Sequence, residues 1–336
     1  AFRNDQDFVK NSGNVFESVD ESLFRNRSFV FKSVKINSKA LVYADESLRK
    51  DRKFILKIVK QDFNALEYAD ESLRNDREIV LEAIIGYKRN LSGTHPLQNA
   101  EPSLYKDRDF MLMVVKKDGN LLEYADSSLC KDHEIVKEAV KRNGDALKYA
   151  DKFLRKDREI VMEAVRRNSS ALQYADASLL KDRDVVFEAI LKRSAFEENP
   201  LEYAEMSLRK DRNFMLKVVK EDGSALKYAD ESLRKDREMV FAAVNGYRGN
   251  QFGEHPLGCV DETFRKDREI VLEAVKKNGF ALQYADETLR GDREIVLEAV
   301  KYEGYLTTMN ILHDGILKSK PRCVLSYADE SLQKEK

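Results

Sequence analysis

Residues 68–80 read YADESLRNDREIV, and close copies begin at Tyr43, Tyr228 and Tyr284, with more divergent ones between. Recurrence at a fixed spacing constrains the fold more than any other feature, because each copy must become the same supersecondary unit. The acidic residue that closes the Tyr-Ala-Asp motif falls at Asp20, Asp45, Asp70, Glu101, Asp126, Asp151, Asp176, Glu205, Asp230, Asp261, Asp286 and Asp329. The spacing is 25 residues at seven of eleven steps, and the exceptions of 31, 29, 31 and 43 are local insertions. They place extra residues at 86–97, 195–199, 246–257 and 302–323.

One unit, DREIVLEAVKKNGFALQYADETLRG, runs from Asp267 to Gly291. Its first half predicts a helix. Asp51, Asp76, Asp107, Asp157 and Asp236 stand where an N-cap acceptor is needed, and Asn26 replaces Asp without loss of that role. Ile79, Val80, Ala83 and Ile84 show the apolar spacing, which gives one buried stripe with charged residues opposite. Gly119, Gly144, Gly223 and Gly279 are expected to end these helices in the left-handed conformation. The second half predicts a helix of one to two turns and a tight turn. Nine of twelve copies carry Tyr there, at 43, 68, 124, 149, 174, 203, 228, 284 and 327. These rings are expected to line the interior, with each hydroxyl on a polar neighbour. A unit of this length cannot bury its own stripe, so neighbours must stack. The expected fold is all-α: a single α-solenoid array over 1–336, a superhelix of about twelve units, each a longer helix plus a short helix and turn.

The consensus ALxYADESLRKDREIVLEAVKxNG, read across the units, resembles the tandem-repeat family catalogued as domain of unknown function 4116, over nearly the whole chain. It also looks like the leucine-rich-repeat variants that alternate long and short helices. The resemblance implies a helical-repeat fold, and the family carries no established activity. Residues 15–20, 97–102 and 257–262 depart from the pattern by lacking the Tyr.

A longer period overlies the first. The segment from Lys50 to Leu97 matches that from Lys210 to Leu257 at a constant offset of 160, including both six-residue insertions. A block duplication follows, with equivalent loops at 86–97 and 246–257.

Motifs for chemistry are missing. No Gly-rich phosphate loop, GxSxG, HExxH or CxxC occurs, and no cofactor is implied. His133 replaces the Arg that follows the N-cap in ten of twelve units, which reads as a surface substitution. His95 and His255 each lie in a His-Pro-Leu triplet, read as a fixed turn into the next short helix rather than as metal ligands. His313 and Cys323 would act as a nucleophilic pair only if their side chains met. Lys and Arg total 59 against 60 for Asp and Glu, so neither nucleic acid nor a membrane surface is an expected partner. No stretch of 18 apolar residues is present to span a bilayer. Cys130, Cys259 and Cys323 form no disulfide framework, which favours a reducing compartment such as cytoplasm. The chain opens and closes inside repeats, so it is expected to be part of a longer protein and to self-associate through uncovered end faces.

Recurring positions build the array, and departures from the recurrence are where function is expected. The residue two before the N-cap is Arg at 49, 74, 155, 209, 234, 265 and 290, but Phe24, Tyr105, Cys130 and Leu180 elsewhere. Phe153 replaces a small residue near Arg155. Tyr105, Cys130, Phe153 and Leu180 are therefore candidates for an apolar partner-binding edge. The expected function is a non-enzymatic protein-binding scaffold or assembly subunit. The alternative is an accessory repeat region of a larger enzyme or secreted effector whose active domain lies outside these residues.

Overall fold

The computed structural model describes residue 16 and residues 19–87, 94–194, 197–248 and 255–302. His313, Cys323, Tyr327 and the bulk of the 302–323 insertion lie outside the described residues. All described elements are helices, and the fold is an all-α helical-repeat solenoid. Residues Ala1–Arg155 and Lys156–Lys336 form two compact units.

A typical repeat holds three helices, because it holds three capping residues; in the repeat that starts at Asp157 the third is replaced by a turn at 177–181. Asp51 accepts the Phe54 N–H and starts the long helix Arg52–Val59. Asp62 accepts the Asn64 N–H and starts the six-residue 3₁₀ helix Phe63–Tyr68. Asp70 accepts the Ser72 N–H and starts the one-turn helix Glu71–Arg74. Such a side-chain acceptor contributes about 0.5–2 kcal/mol to its helix. The second half of the repeat is thus two helices rather than one. The backbone at Ala69 is extended, with φ −68° and ψ 157°, so the 3₁₀ helix cannot run on and Asp70 nucleates afresh.

Long helices supply the core. In His133–Arg142 the four stripe residues Ile135, Val136, Ala139 and Val140 are all 0% exposed. The 3₁₀ helices add an Ala-Leu pair each, such as Ala146 and Leu147, which are also fully buried. A buried Val, Leu or Ile contributes about 1.5–3 kcal/mol, so the stack and not helix propensity holds the array.

Glycine does a different job from the one expected of it. Gly119 and Gly223 do not adopt the left-handed conformation. They open the 3₁₀ helices, where a Cβ would stand 2.1 Å from the Ala139 carbonyl oxygen and 2.0 Å from that of Ala243. Close approach to the next repeat's backbone selects glycine here.

The repeats are joined by backbone as well as by the core. Asp126 donates its N–H to the Tyr105 carbonyl and Asp151 to that of Cys130, both at 2.9 Å. In the second unit Asp230 reaches Arg209 at 3.0 Å and Asp286 reaches Arg265 at 2.9 Å. A further row of ion pairs lies outside. Arg52 bridges Asp76 at 2.7 Å and Glu78 at 2.5 Å, and Arg212 bridges Asp236 and Glu238 at the same distances. The Arg212 guanidinium holds the Asp236 carboxyl below the usual range, against the opposing effect of burial. Exposed pairs of this kind contribute about 0–1 kcal/mol each and fix register.

Tyrosine rings are half-buried rather than enclosed. In Gly144–Tyr149 and Gly223–Tyr228 the tyrosine closes the 3₁₀ helix and points its hydroxyl to the preceding repeat: Tyr149 donates to Glu123 at 2.7 Å, and Tyr228 to Glu202 at 2.8 Å, whereas Tyr203 donates to Glu198 nearby in sequence.

Candidate functional site

The position that is usually Arg has an internal task. Its backbone carbonyl accepts the joint just described, and its side chain turns back to the carbonyls at the end of the neighbouring 3₁₀ helix. Arg265 donates to Gly258 and Val260 at 3.3 and 3.2 Å. At the duplicated position, Tyr105 donates its hydroxyl to the Leu97 and Ala100 carbonyls. Cys130 directs its thiol to the Ala125 carbonyl at 3.9 Å. Tyr105, Cys130 and Leu180 are all half-buried, and burial pushes the Cys130 thiol and the Tyr105 phenol up. Phe153, by contrast, is 68% exposed, with the Lys152 ammonium 5.3 Å from its ring centre. Of the four sequence candidates, Tyr105, Cys130 and Phe153 belong to the first compact unit and Leu180 to the second.

Each six-residue insertion ends in an aromatic box. In the first copy His95 lies 4.6 Å from Tyr87 and 5.1 Å from Tyr124, ring centre to ring centre. Tyr105 packs on Tyr124 at 6.5 Å and so joins that cluster. In the second copy His255 lies 4.7 Å from Tyr247 and 5.8 Å from Tyr284. His95 Nδ1 accepts the Leu97 N–H at 3.2 Å and His255 Nδ1 that of Leu257 at 3.1 Å. Histidine thus replaces the Asx cap of ordinary repeats, ahead of a proline at the first helical position. Accepting at Nδ1 requires neutral imidazole with its proton on Nε2. His255 is only 3% exposed, its Nε2 has no hydrogen-bond partner among the described residues, and burial pushes its pKa down to about 3. The His-Pro-Leu triplets are the helix-entry turns expected of them. Among the described residues no group of three or more His, Cys, Asp and Glu could hold a metal ion.

One surface feature was missed by the repeat reading. In the first unit, the helices Arg77–Gly86 and Arg108–Lys117 flank a predominantly apolar groove of ≈ 570 Å³. Ile85 and Met113 line it while 58% and 39% exposed. The signal was present in both as departures: Ile85 follows the stripe where most other repeats place Lys or Arg (Leu191 and Asn245 are exceptions), and Met113 stands where many place Glu or Lys.

The family model described as Domain of unknown function (DUF4116) matches residues 6–49, 51–92, 107–155, 157–209, 195–231, 211–265 and 267–333. No curated protein and no solved structure matches the chain.

Proposed function

The chain belongs to the DUF4116 family, and on that premise we propose that it is a protein-binding scaffold or assembly subunit that works by binding rather than by catalysis. The observation that supports this reading is the internal use of the recurring polar groups. The capping Asp and Asn, the Arg after most long-helix caps and the hydroxyls of Tyr149 and Tyr228 are engaged in building the array. What distinguishes one repeat from another is then left on the surface. No described helix is long and apolar enough to cross a membrane.

Tyr105, Cys130, Phe153 and Leu180 remain the contact set proposed from the sequence, with Phe153 the most available of them. The test has two stages. A partner captured on the immobilised chain is identified by mass spectrometry, purified and titrated calorimetrically against wild type and Tyr105→Arg/Phe153→Ser. These residues occur at the same positions in other repeats, so the fold should tolerate them. A loss of about 2 kcal/mol is expected, as for removal of an aromatic anchor. Unchanged affinity removes this contact set, and the absence of any saturable protein binding removes the scaffold reading.

A further inference from the structure

We propose that the groove between helices Arg77–Gly86 and Arg108–Lys117 docks an acidic segment of another protein that carries a large apolar anchor. The inference rests on the scaffold reading and gives it a site and a partner chemistry.

The lining of the groove is predominantly apolar. Leu81, Ile85 and Met113 face an opening of ≈ 570 Å³, within the size range of ligand pockets, and their exposure costs the free chain apolar hydration. Its charge is set by pairing. Three of the charged side chains on the groove already have partners: Glu78 is held by Arg52 at 2.5 Å, Glu82 by Lys60 at 3.5 Å, and Arg77 pairs with Asp107. Lys116 and Lys117, at the C-terminal end of their helix, are exposed and form no ion pair among the described residues. Glu138 on the following helix senses Lys116 but is bonded to Lys141 at 2.9 Å. The groove therefore presents an apolar floor beside two uncompensated positive charges. Carboxylates next to a Leu- or Phe-like side chain complement it.

The duplicated block supplies an internal control. At the positions of Ile85 and Met113 the second copy has Asn245 and Glu273. Glu273 pairs with Lys276, the counterpart of Lys116, at 3.6 Å. There the anchors are gone and that lysine is neutralised, so the array does not need this groove for its own packing.

The experiment uses the full chain with methyl-labelled methionine and three short fluorescein-labelled peptides. One alternates Glu with Leu, one replaces its Glu by Lys, and one replaces its Leu by Ser. The Glu/Leu peptide should bind, shift the Met113 methyl resonance, and lose about tenfold in affinity against Lys116→Gln/Lys117→Gln. Both lysines are exposed, and Ile85→Asn copies a residue the second copy already carries, so either variant should retain wild-type circular dichroism while binding more weakly. Equal binding of either control peptide, or an unmoved Met113 resonance, overturns the proposal. The two readings fail separately. A captured partner that binds the lysine and Ile85 variants as well as wild type removes the groove and leaves the scaffold. Absence of saturable protein binding removes the scaffold, while the peptides decide the groove.

Discussion

The two insertion boxes share a sequence pattern and differ in closure. Tyr87 is half-buried in the first copy, whereas Tyr247 is 6% exposed in the second. His95 is half-buried, whereas His255 is 3% exposed. Two duplicated positions account for the difference. Phe63 occupies the place of Gly223 and packs edge-on against Tyr87 at 5.3 Å. The end of helix Arg77–Gly86 rests on this ring, for among the described residues a Cβ on Gly86 would meet only the Phe63 side chain, at 3.5 Å. In the second copy no such wedge exists. A Cβ on Gly246 would lie 2.1 Å from the Val219 carbonyl oxygen, so helix Arg237–Gly246 sits directly on the backbone below. Likewise Gln98 reaches the Tyr124 hydroxyl at 3.4 Å, while Gly258 at the equivalent place lets the Tyr284 ring settle close to the backbone. An aromatic residue beneath a helix end and a side chain at the turn after the histidine together decide whether a capping histidine is sealed.

The comparison can be broken first by acid. His255 has a value of about 3 in the folded chain against an ordinary 6.5, so between these limits the unfolded chain binds the proton and the folded chain does not. Its contribution is fully present above about pH 6.5 and is lost as pH falls toward 3, up to roughly 5 kcal/mol for that repeat. His255→Asn, which copies the cap made by Asn199 to Leu201, should flatten this part of the pH profile in chemical denaturation monitored by hydrogen exchange of the second unit. An unchanged profile would locate the acid sensitivity elsewhere.

Removing the wedge comes next. Phe63→Ala should destabilise the first unit by about 3–5 kcal/mol, read from exchange of amides in helix Arg77–Gly86. A loss below 1 kcal/mol, on the scale of ordinary surface changes, would show that the ring carries no load. The converse change, Gly223→Phe, should cost about 1–3 kcal/mol through overpacking against Ala243 and bring His255 into contact with solvent. Smallest of all, Arg212→Ala removes the pairs to Asp236 and Glu238 and should cost at most about 1 kcal/mol, diminishing with added salt. A salt-independent effect would mean that the arginine stem matters more than its charge.

Much of this architecture was legible in the sequence, and the parts that were not share a cause. The Asp at 51, 76 or 236 and the stripe of Ile79, Val80, Ala83 and Ile84 act within one helix, so local spacing revealed them. Gly119 and Gly223 were misassigned because their constraint is a carbonyl in the next repeat, which no local pattern displays. Tyr105 looked like a surface departure for the same reason: its partners, the Leu97 and Ala100 carbonyls, are set by the stacking. The groove at Ile85 and Met113 was hidden because an apolar residue beside an apolar stripe reads as core. Sequence shows what a repeat does for itself; what it does for its neighbour had to be seen in the packed structure.

The most direct test of the closure account is a pH titration of the His255 Cε1–H resonance in the native chain, with His255→Asn used for assignment. The account predicts no inflection between pH 8 and 5 in wild type, and an inflection near the ordinary histidine value in Gly223→Phe. An inflection near pH 6.5 in the wild-type chain would contradict it.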